Sequence, residues 1–512
     1  MGPAGCPVHS NPGEIVKCRL TRTIALFVVL AFAAACTTQP PSRDTSAVTL
    51  AIGSLYEPQN LDNASGGGQG ATEALGGNVY EGLFRLTDAG AVEPLLARTH
   101  TVSRDGLTYT FTLRSGVRFH SGKPLTAADV KHSIERILAE SSKSSRTGAL
   151  SMIKKVTTPD DRTVVIGLST KSISLLYNLT QVWIGNSAVA DPATKEDGTG
   201  PYALTAWKRG STLTLGKFDG YWGPPPKTGQ VVFRYFTDAA ALNNALLSGE
   251  VDLITSEQNP DALAQFAGPA FKITEGHSTT KLLLAFNDRR TPFDKVLVRR
   301  AVSEAIDDAK LLRSIWNGYG ELIGSMVPPT DPWYQDETAV NAYDPALAKK
   351  HLAEAGFPDG FAFTLDTPSY DPHPTIATFA KSELAKVGVE VTIKIITADE
   401  WYSRVYQRHD FTATLQEHVN DRDIRWYGDP GFYWGYDNPE VAGWIKRSET
   451  ADTAAEQASL LRKAARRIAE DAASDWLYLN PQIVVSSAKV SGYAINGLNA
   501  QFPAYNIEID KH

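Results

Sequence analysis

The sequence predicts an α/β fold built from at least two sheet-based lobes. Three observations predict it. At 512 residues the chain exceeds the usual single-domain range. Its body alternates short apolar strands with helices that carry start and stop residues. One strand–helix–strand run in the C-terminal half has the pattern of a βαβ unit, which requires a parallel sheet.

In LTYTFTLR (107–114), Tyr109, Phe111 and Leu113 share one face and threonines the other, a period-2 strand. Gly116 and the SGKP turn follow. Thr126 then caps a helix with Val130, Ile134, Ile137 and Leu138 along one side. VVFRYF (231–236) is a second strand. Asp238 opens a helix that runs through Leu247 and closes at Gly249, and VDLI starts another strand. Asp344 and Pro345 stand as N-cap and first helical residue, with Gly356 as the stop. FAFTL (361–365), a helix from about Pro374 to Val387, Gly388 and VEVTIKI complete the βαβ unit.

The chain carries a net charge of −7, and Lys17, Arg19 and Arg22 against Glu14 put +2 on residues 1–35, leaving −9 on the rest. An acidic body argues against nucleic acid as a partner, which needs a basic face. All three cysteines, Cys6, Cys18 and Cys36, lie near the N-terminus. The body therefore has no disulfide framework, thiol nucleophile or cysteine metal site. G-x-S-x-G and H-E-x-x-H are absent, and the remaining histidines lack ligand spacing. No catalytic residue, protein metal site or cofactor is expected, and a secreted hydrolase is disfavoured.

Residues 16–40 indicate the compartment. Lys17, Arg19 and Arg22 form a positive segment, and Ile24 to Ala35 an apolar stretch too short to span a bilayer. Ala33-Ala34-Ala35 precede Cys36, and TTQPPSRDTS follows. This order looks like a bacterial lipoprotein signal, cleaved before Cys36 with lipid added to its thiol. It departs from the usual pattern at Ala33, where such signals have Leu. An ordinary secretory signal is the alternative. The Pro/Ser/Thr-rich tract after Cys36 reads as a tether that holds the body off the membrane.

A resemblance then becomes specific. DGLTYTFTLRSGVRFHSGKPLTAADVKHSIERIL (105–138) resembles the extracellular solute-binding proteins of family 5, the peptide- and nickel-binding proteins of ABC importers. NVYEGLFRL (78–86), EPLLA (93–97), GTGPYALTAWKRG (198–210), DGYWGPPPK (219–227) and LLSGEVDLI (246–254) follow in the family's order. So do LLLAFNDRRTPFDKVLVRRAVSEAIDD (282–308), YDPALAKKHLAEAGFPDG (343–360) and ELAKVGVEVTI (383–393). The resemblance implies a two-lobed periplasmic-binding-protein fold, type II-like in its large form, with a ligand cleft between the lobes. The expected organisation is a signal at 1–35, a tether at 36–47, lobe I at 48–277 with an extra subdomain at about 75–190, lobe II at 278–483, and a return to lobe I at 484–512. Strands around Ser278–Phe286 and Val484–Ser491 would act as hinges, and ligand contacts made only in the closed state would drive closure.

Peptide-binding members pair a lobe II aspartate, in a Trp-x-x-Asp context, with the ligand's α-ammonium. The matching stretch here is LQEHVNDRDIRWYGDP (415–430), which places Asp421 at the aspartate position, with Asp423 as the alternative. A buried carboxylate rewards a cationic amine and rejects ligands without one. His418 stands where the family has tryptophan, which opens the ligand class. Trp426 and Tyr427, in an aromatic-rich run, are candidates for the cleft wall or for a lobe core. GGGQG (66–70) corresponds to a lobe I loop facing the cleft, making Gly67, Gly68 and Gln69 candidates for close backbone approach. The resemblance implies a monomeric, lipid-anchored receptor outside the cell membrane that captures peptides and delivers them to ABC permease subunits. A nickel chelate, an oligosaccharide, an opine-like solute or a non-transporting sensor are the alternatives.

Overall fold

A computed structural model describes residues 48–419 and 421–510. The expected signal, Cys36 and the tether lie outside the described residues. Among the described residues, three larger sheets organise the body, beside two two-stranded ones.

The first is seven-stranded and mixed. Its order is Phe271–Gly276, Gln482–Ser487, Leu253–Ile254, Thr49–Ser54, Gln230–Tyr235, Thr212–Lys217 and Tyr202–Lys208. Thr49–Ser54 runs parallel to both its neighbours. Apolar side chains cover both faces: Leu50, Ile52 and Phe233 pack on one side, and Leu242, Leu246 and Phe266 form a separate cluster. Asp238 caps the intervening helix, Ala239–Leu247, by accepting from the Ala241 amide at 2.8 Å.

The second sheet has the order Val389–Ile396, Phe361–Pro368, Ala413–His418, Lys281–Phe286 and Ser474–Leu479. Phe361–Pro368 and Val389–Ile396 pair in parallel across the helix His373–Ala385, as the βαβ pattern requires. Lys281–Phe286 is buried along its whole length between two antiparallel neighbours. The helix before this unit, Pro345–Glu354, starts at Asp344, whose carboxylate accepts from the Ala346 and Leu347 amides at 3.0 Å. Gly356 follows it at φ +92°, the left-handed conformation that favours glycine after a helix.

The third sheet is antiparallel: Ala97–Val102, Thr108–Leu113, Thr163–Leu168 and Ile153–Asp160. Tyr109, Phe111 and Leu113 face its core, and Val130, Ile134 and Ile137 of the helix Ala127–Leu138 pack on them. A capping box at Thr126 and Asp129 starts that helix.

The chain passes between the first two sheets twice. Phe271–Gly276 belongs to one and Lys281–Phe286 to the other, so the first crossing is residues 277–280. Ser474–Leu479 and Gln482–Ser487 bracket the second, residues 480–481. Each strand at these points lies within a hydrogen-bonded sheet, and the two crossings are joined by the Asn480 amide, which donates to the Thr280 carbonyl at 2.9 Å. The lobes also touch directly. Glu449 accepts from the Ser172 and Ser174 hydroxyls, its carbonyl takes the Ile173 amide, and Lys171 pairs with Asp452. The Arg422 guanidinium lies 3.3 Å from the centre of the Tyr177 ring.

Candidate functional site

A cleft of about 1290 Å³ lies between the first two sheets. Tyr56, the Gly66–Glu73 region and Lys143–Arg146 wall it from lobe I; Tyr370, Glu417 and Asp421 do so from lobe II. The crossings contribute Ser278–Thr280 and Asn480–Gln482.

Asp421 is on the cleft wall and only 9% exposed. Its Oδ1 is 3.6 Å from Arg146 Nη1, and its Oδ2 is buried with no hydrogen-bond partner among the described residues. Such an acceptor is costly to leave unmet.

Gly67, Gly68 and Gln69 also line the cleft. The glycine run is not an open loop: a helix, Gly68–Leu75, begins inside it. Gly66 and Gly68 take φ +75° and +79°. A Cβ on Gly70 would stand 2.5 Å from the Tyr56–Glu57 backbone, so that glycine serves packing within the lobe.

The other four lobe II candidates stand behind Asp421, away from the cleft-lining residues. Asp423 and Lys281 are both fully buried, with Nζ to Oδ2 at 3.2 Å, and His418 Nδ1 is 3.5 Å from the same oxygen. Burial pushes the Asp423 carboxyl up, but Lys281 and His418 outweigh it and hold it below its ordinary value. His418 Nε2 meets the Tyr433 hydroxyl at 3.0 Å, and its ring lies over Tyr433 and Trp434. Tyr427 is buried against Trp434, ring centres 4.2 Å apart, with its hydroxyl 2.8 Å from Ser474 Oγ. Trp426 stacks on Phe432 at 4.8 Å. The aromatic run is thus a lobe core, with His418 packed among its rings.

Sequence reasoning passed over Glu73, Glu417, Lys143 and Arg146. Glu73 is buried at the cleft wall, where it accepts from Ser54 Oγ at 2.6 Å. Burial pushes its carboxyl up to about 7 against the hydrogen bonds from Ser54 and Thr255. Burial likewise raises Glu417, whose Oε1 accepts from Asn480 Nδ2 at 2.9 Å. Glu417 lies in the strand Ala413–His418, inside the stretch quoted for Asp421, so the signal was four residues away. Nothing local marked Lys143 and Arg146, because only the tertiary fold brings their segment to the cleft.

Among the described residues no cluster of three or more His, Cys, Asp or Glu is placed to hold a metal ion. No helix there is long and apolar enough to cross a membrane.

Two lobes, a polar cleft and an unmet carboxylate oxygen point to a solute-binding protein, and residues 91–451 match the model described as "Bacterial extracellular solute-binding proteins, family 5 Middle". The chain belongs to family 5. Among its relatives, the glutathione-binding protein GsiB of Salmonella typhimurium is 30% identical over 369 residues, covering 70% of this chain and 71% of that protein. Among solved structures, AgaA of A. tumefaciens R10 in complex with agropinic acid superposes with a TM-score of 0.73 at 27% identity, covering 91% of this chain and 99% of AgaA. DppA from Helicobacter pylori, in complex with the peptide STSA, gives 0.74 at 25% identity, covering 90% and 98%. The α/β two-lobed fold expected from sequence is therefore the fold of this family 5 protein, and its relatives are solute-binding proteins.

Proposed function

We propose that this family 5 protein is the lipid-anchored, extracytoplasmic receptor of an ABC importer, capturing peptides by lobe closure and delivering them to the permease. The observation that carries the reading is the buried, unmet Oδ2 of Asp421 at the cleft wall. It suits the α-ammonium of a peptide, and a charged hydrogen bond of this kind contributes about 1.5–3 kcal/mol. Gly67, Gly68 and Gln69 form the facing wall, where backbone groups approach the solute. His418 and Asp423, backed by Trp426 and Tyr427, fix the segment that presents Asp421. Closure excludes water and strengthens the ion pair.

Native mass spectrometry of freshly purified protein should reveal co-purifying peptides. In calorimetry, Asp421→Ala should weaken peptide binding at least tenfold. Tight peptide binding that survives this substitution sinks the contact assignment. The anchor is tested by Cys36→Ser, which should release the protein from the membrane fraction. Delivery predicts loss of peptide uptake on deletion of the gene.

A second reading, glutathione or an opine-like solute, is favoured by the ligands named for GsiB and AgaA. Tighter binding of glutathione or agropinic acid than of any peptide tried would establish it.

A further inference from the structure

A second, much smaller cavity lies behind the solute cleft and shares Asp421 with it. Both lobes enclose it. Asp331, Asp421 and Arg422 come from lobe II, Tyr177 and Asn499 from lobe I, and Thr279 from the first crossing. The residues after Asn499 fasten it to lobe I. The Phe502 amide donates to the Glu73 carbonyl at 3.3 Å, and the Phe502 carbonyl accepts from Asn78 Nδ2 at 3.0 Å. The Arg422 guanidinium is held at the joint by two rings, 3.3 Å from the centre of Tyr177 and 4.9 Å from that of Trp333.

Four side chains on this wall each carry a buried polar atom with no hydrogen-bond partner among the described residues. They are Asp331 Oδ2, Asp421 Oδ2, Arg422 Nε and Asn499 Nδ2. Asp331 and Asp421 are each nine-tenths buried. Buried polar groups are seldom left unpaired, so four around one cavity call for a common partner. Two of the four are acceptors and two are donors. A cation would suit the carboxylates but face the hydrogens of Arg422 and Asn499. An anion would suit those hydrogens but face the carboxylates. One water donates two hydrogen bonds and accepts two, which matches the set in number and kind. The cavity measures about 10 Å³, and one water needs ~10–15 Å³.

We infer that this cavity is a binding site for a single water molecule, which donates to Asp331 and Asp421, accepts from Arg422 and Asn499, and so joins the two lobes behind the solute. The site stands apart from the peptide reading; its effect on peptide affinity rests on that reading. A carboxylate oxygen has two lone pairs, so Asp421 Oδ2 can take the water on one and a solute's ammonium on the other. The water then fixes the direction of the carboxylate that meets the solute. Asn499 meets the other three partners only where the lobes meet, so the bridge belongs to the closed form. Its loss should appear as faster solute release.

The test is a crystal structure of the mature protein grown with tri-alanine at pH 8, where Asp331, raised by burial to about 6, is ionised. One water should stand about 2.6–3.2 Å from at least three of the four atoms. A second crystal, soaked in rubidium chloride, should show no anomalous peak there. An empty cavity, direct pairing of the four groups with one another, or a rubidium peak overturns the inference. Asp331 lines this cavity and not the solute cleft, so its substitution reads the bridge alone. Asp331→Ala should weaken tri-alanine binding about three- to tenfold in calorimetry, with the change in the dissociation rate. Asp331→Asn keeps an acceptor oxygen and should stay within about twofold of the wild type, which separates the bridge from the lost charge. Equal loss in both variants, or loss in neither, overturns the joining role. If tri-alanine does not bind the wild-type protein, the peptide reading fails, and a crystal grown without it decides the water site.

Discussion

Two carboxylates two residues apart are assigned opposite tasks, and Asp423→Asn separates them. Asp423 faces Lys281 at 3.2 Å where neither side chain is exposed at all. Removing the charge of one partner weakens such a buried pair, at a cost of up to about 3–5 kcal/mol. In a cooperative unit of ordinary size each kcal/mol lowers the melting temperature by about 2–4 °C, so the loss should be on the order of 10 °C. Asp421→Asn should leave the melting temperature within a degree or two and abolish the response to peptide. The pH dependence has a definite sign. The folded-state pKa of Asp423 lies below its ordinary value. Its contribution is therefore complete above about pH 4 and disappears as pH falls below that, through the folded pKa. The assay is differential scanning fluorimetry from pH 3 to 8, with calorimetric peptide binding alongside. If Asp423→Asn melts like the wild type but no longer binds, the assignment of roles is reversed and the reasoning fails.

Other outcomes follow from the same contacts. Glu449→Ala removes the acceptor for Ser172, Ser174 and their loop. It should weaken solute affinity about tenfold without touching the cleft, from the loss of about 1.4 kcal/mol of closed-state contact; unchanged affinity and an unchanged radius of gyration in X-ray scattering would count against it. Glu73, at about 7, lies above its ordinary value, so the folded state favours the protonated form. Stability should then fall by up to about 3 kcal/mol as pH rises from about 4.5 to 7, and level off beyond. Glu73→Gln should flatten that slope in urea titrations. Gly70→Ala sets a Cβ against the Tyr56–Glu57 backbone at 2.5 Å. It should cost at least about 1–3 kcal/mol by overpacking, read as a lower urea midpoint.

Much of the fold was legible because its signals are local. The Thr126 and Asp344 caps, the period-2 run through Phe111 and the βαβ unit ending at Val389–Ile396 each depend on residues close in sequence. Where signals are not local, the reading thinned. VDLI contributes only Leu253–Ile254 to its sheet, and the GGGQG stretch starts a helix whose Gly70 packs on a backbone fourteen residues earlier. For the cleft, the family resemblance singled out Asp421 and Asp423 together. Their difference lies in Lys281, far away in sequence and brought opposite by strand pairing. Lys143 and Arg146 reach the cleft through the third dimension alone.

The two crossings, residues 277–280 and 480–481, are also part of the cleft wall. A change at Thr279 or Asn480 therefore alters two properties at once, the surface a solute meets and the stiffness of the connection between the lobes. A substitution at these positions acts on both. Lys143–Arg146, carried by one lobe alone, are free of the second effect. New solute preferences in this lineage should accumulate there first, leaving the connections as the slowest-changing stretch of the wall.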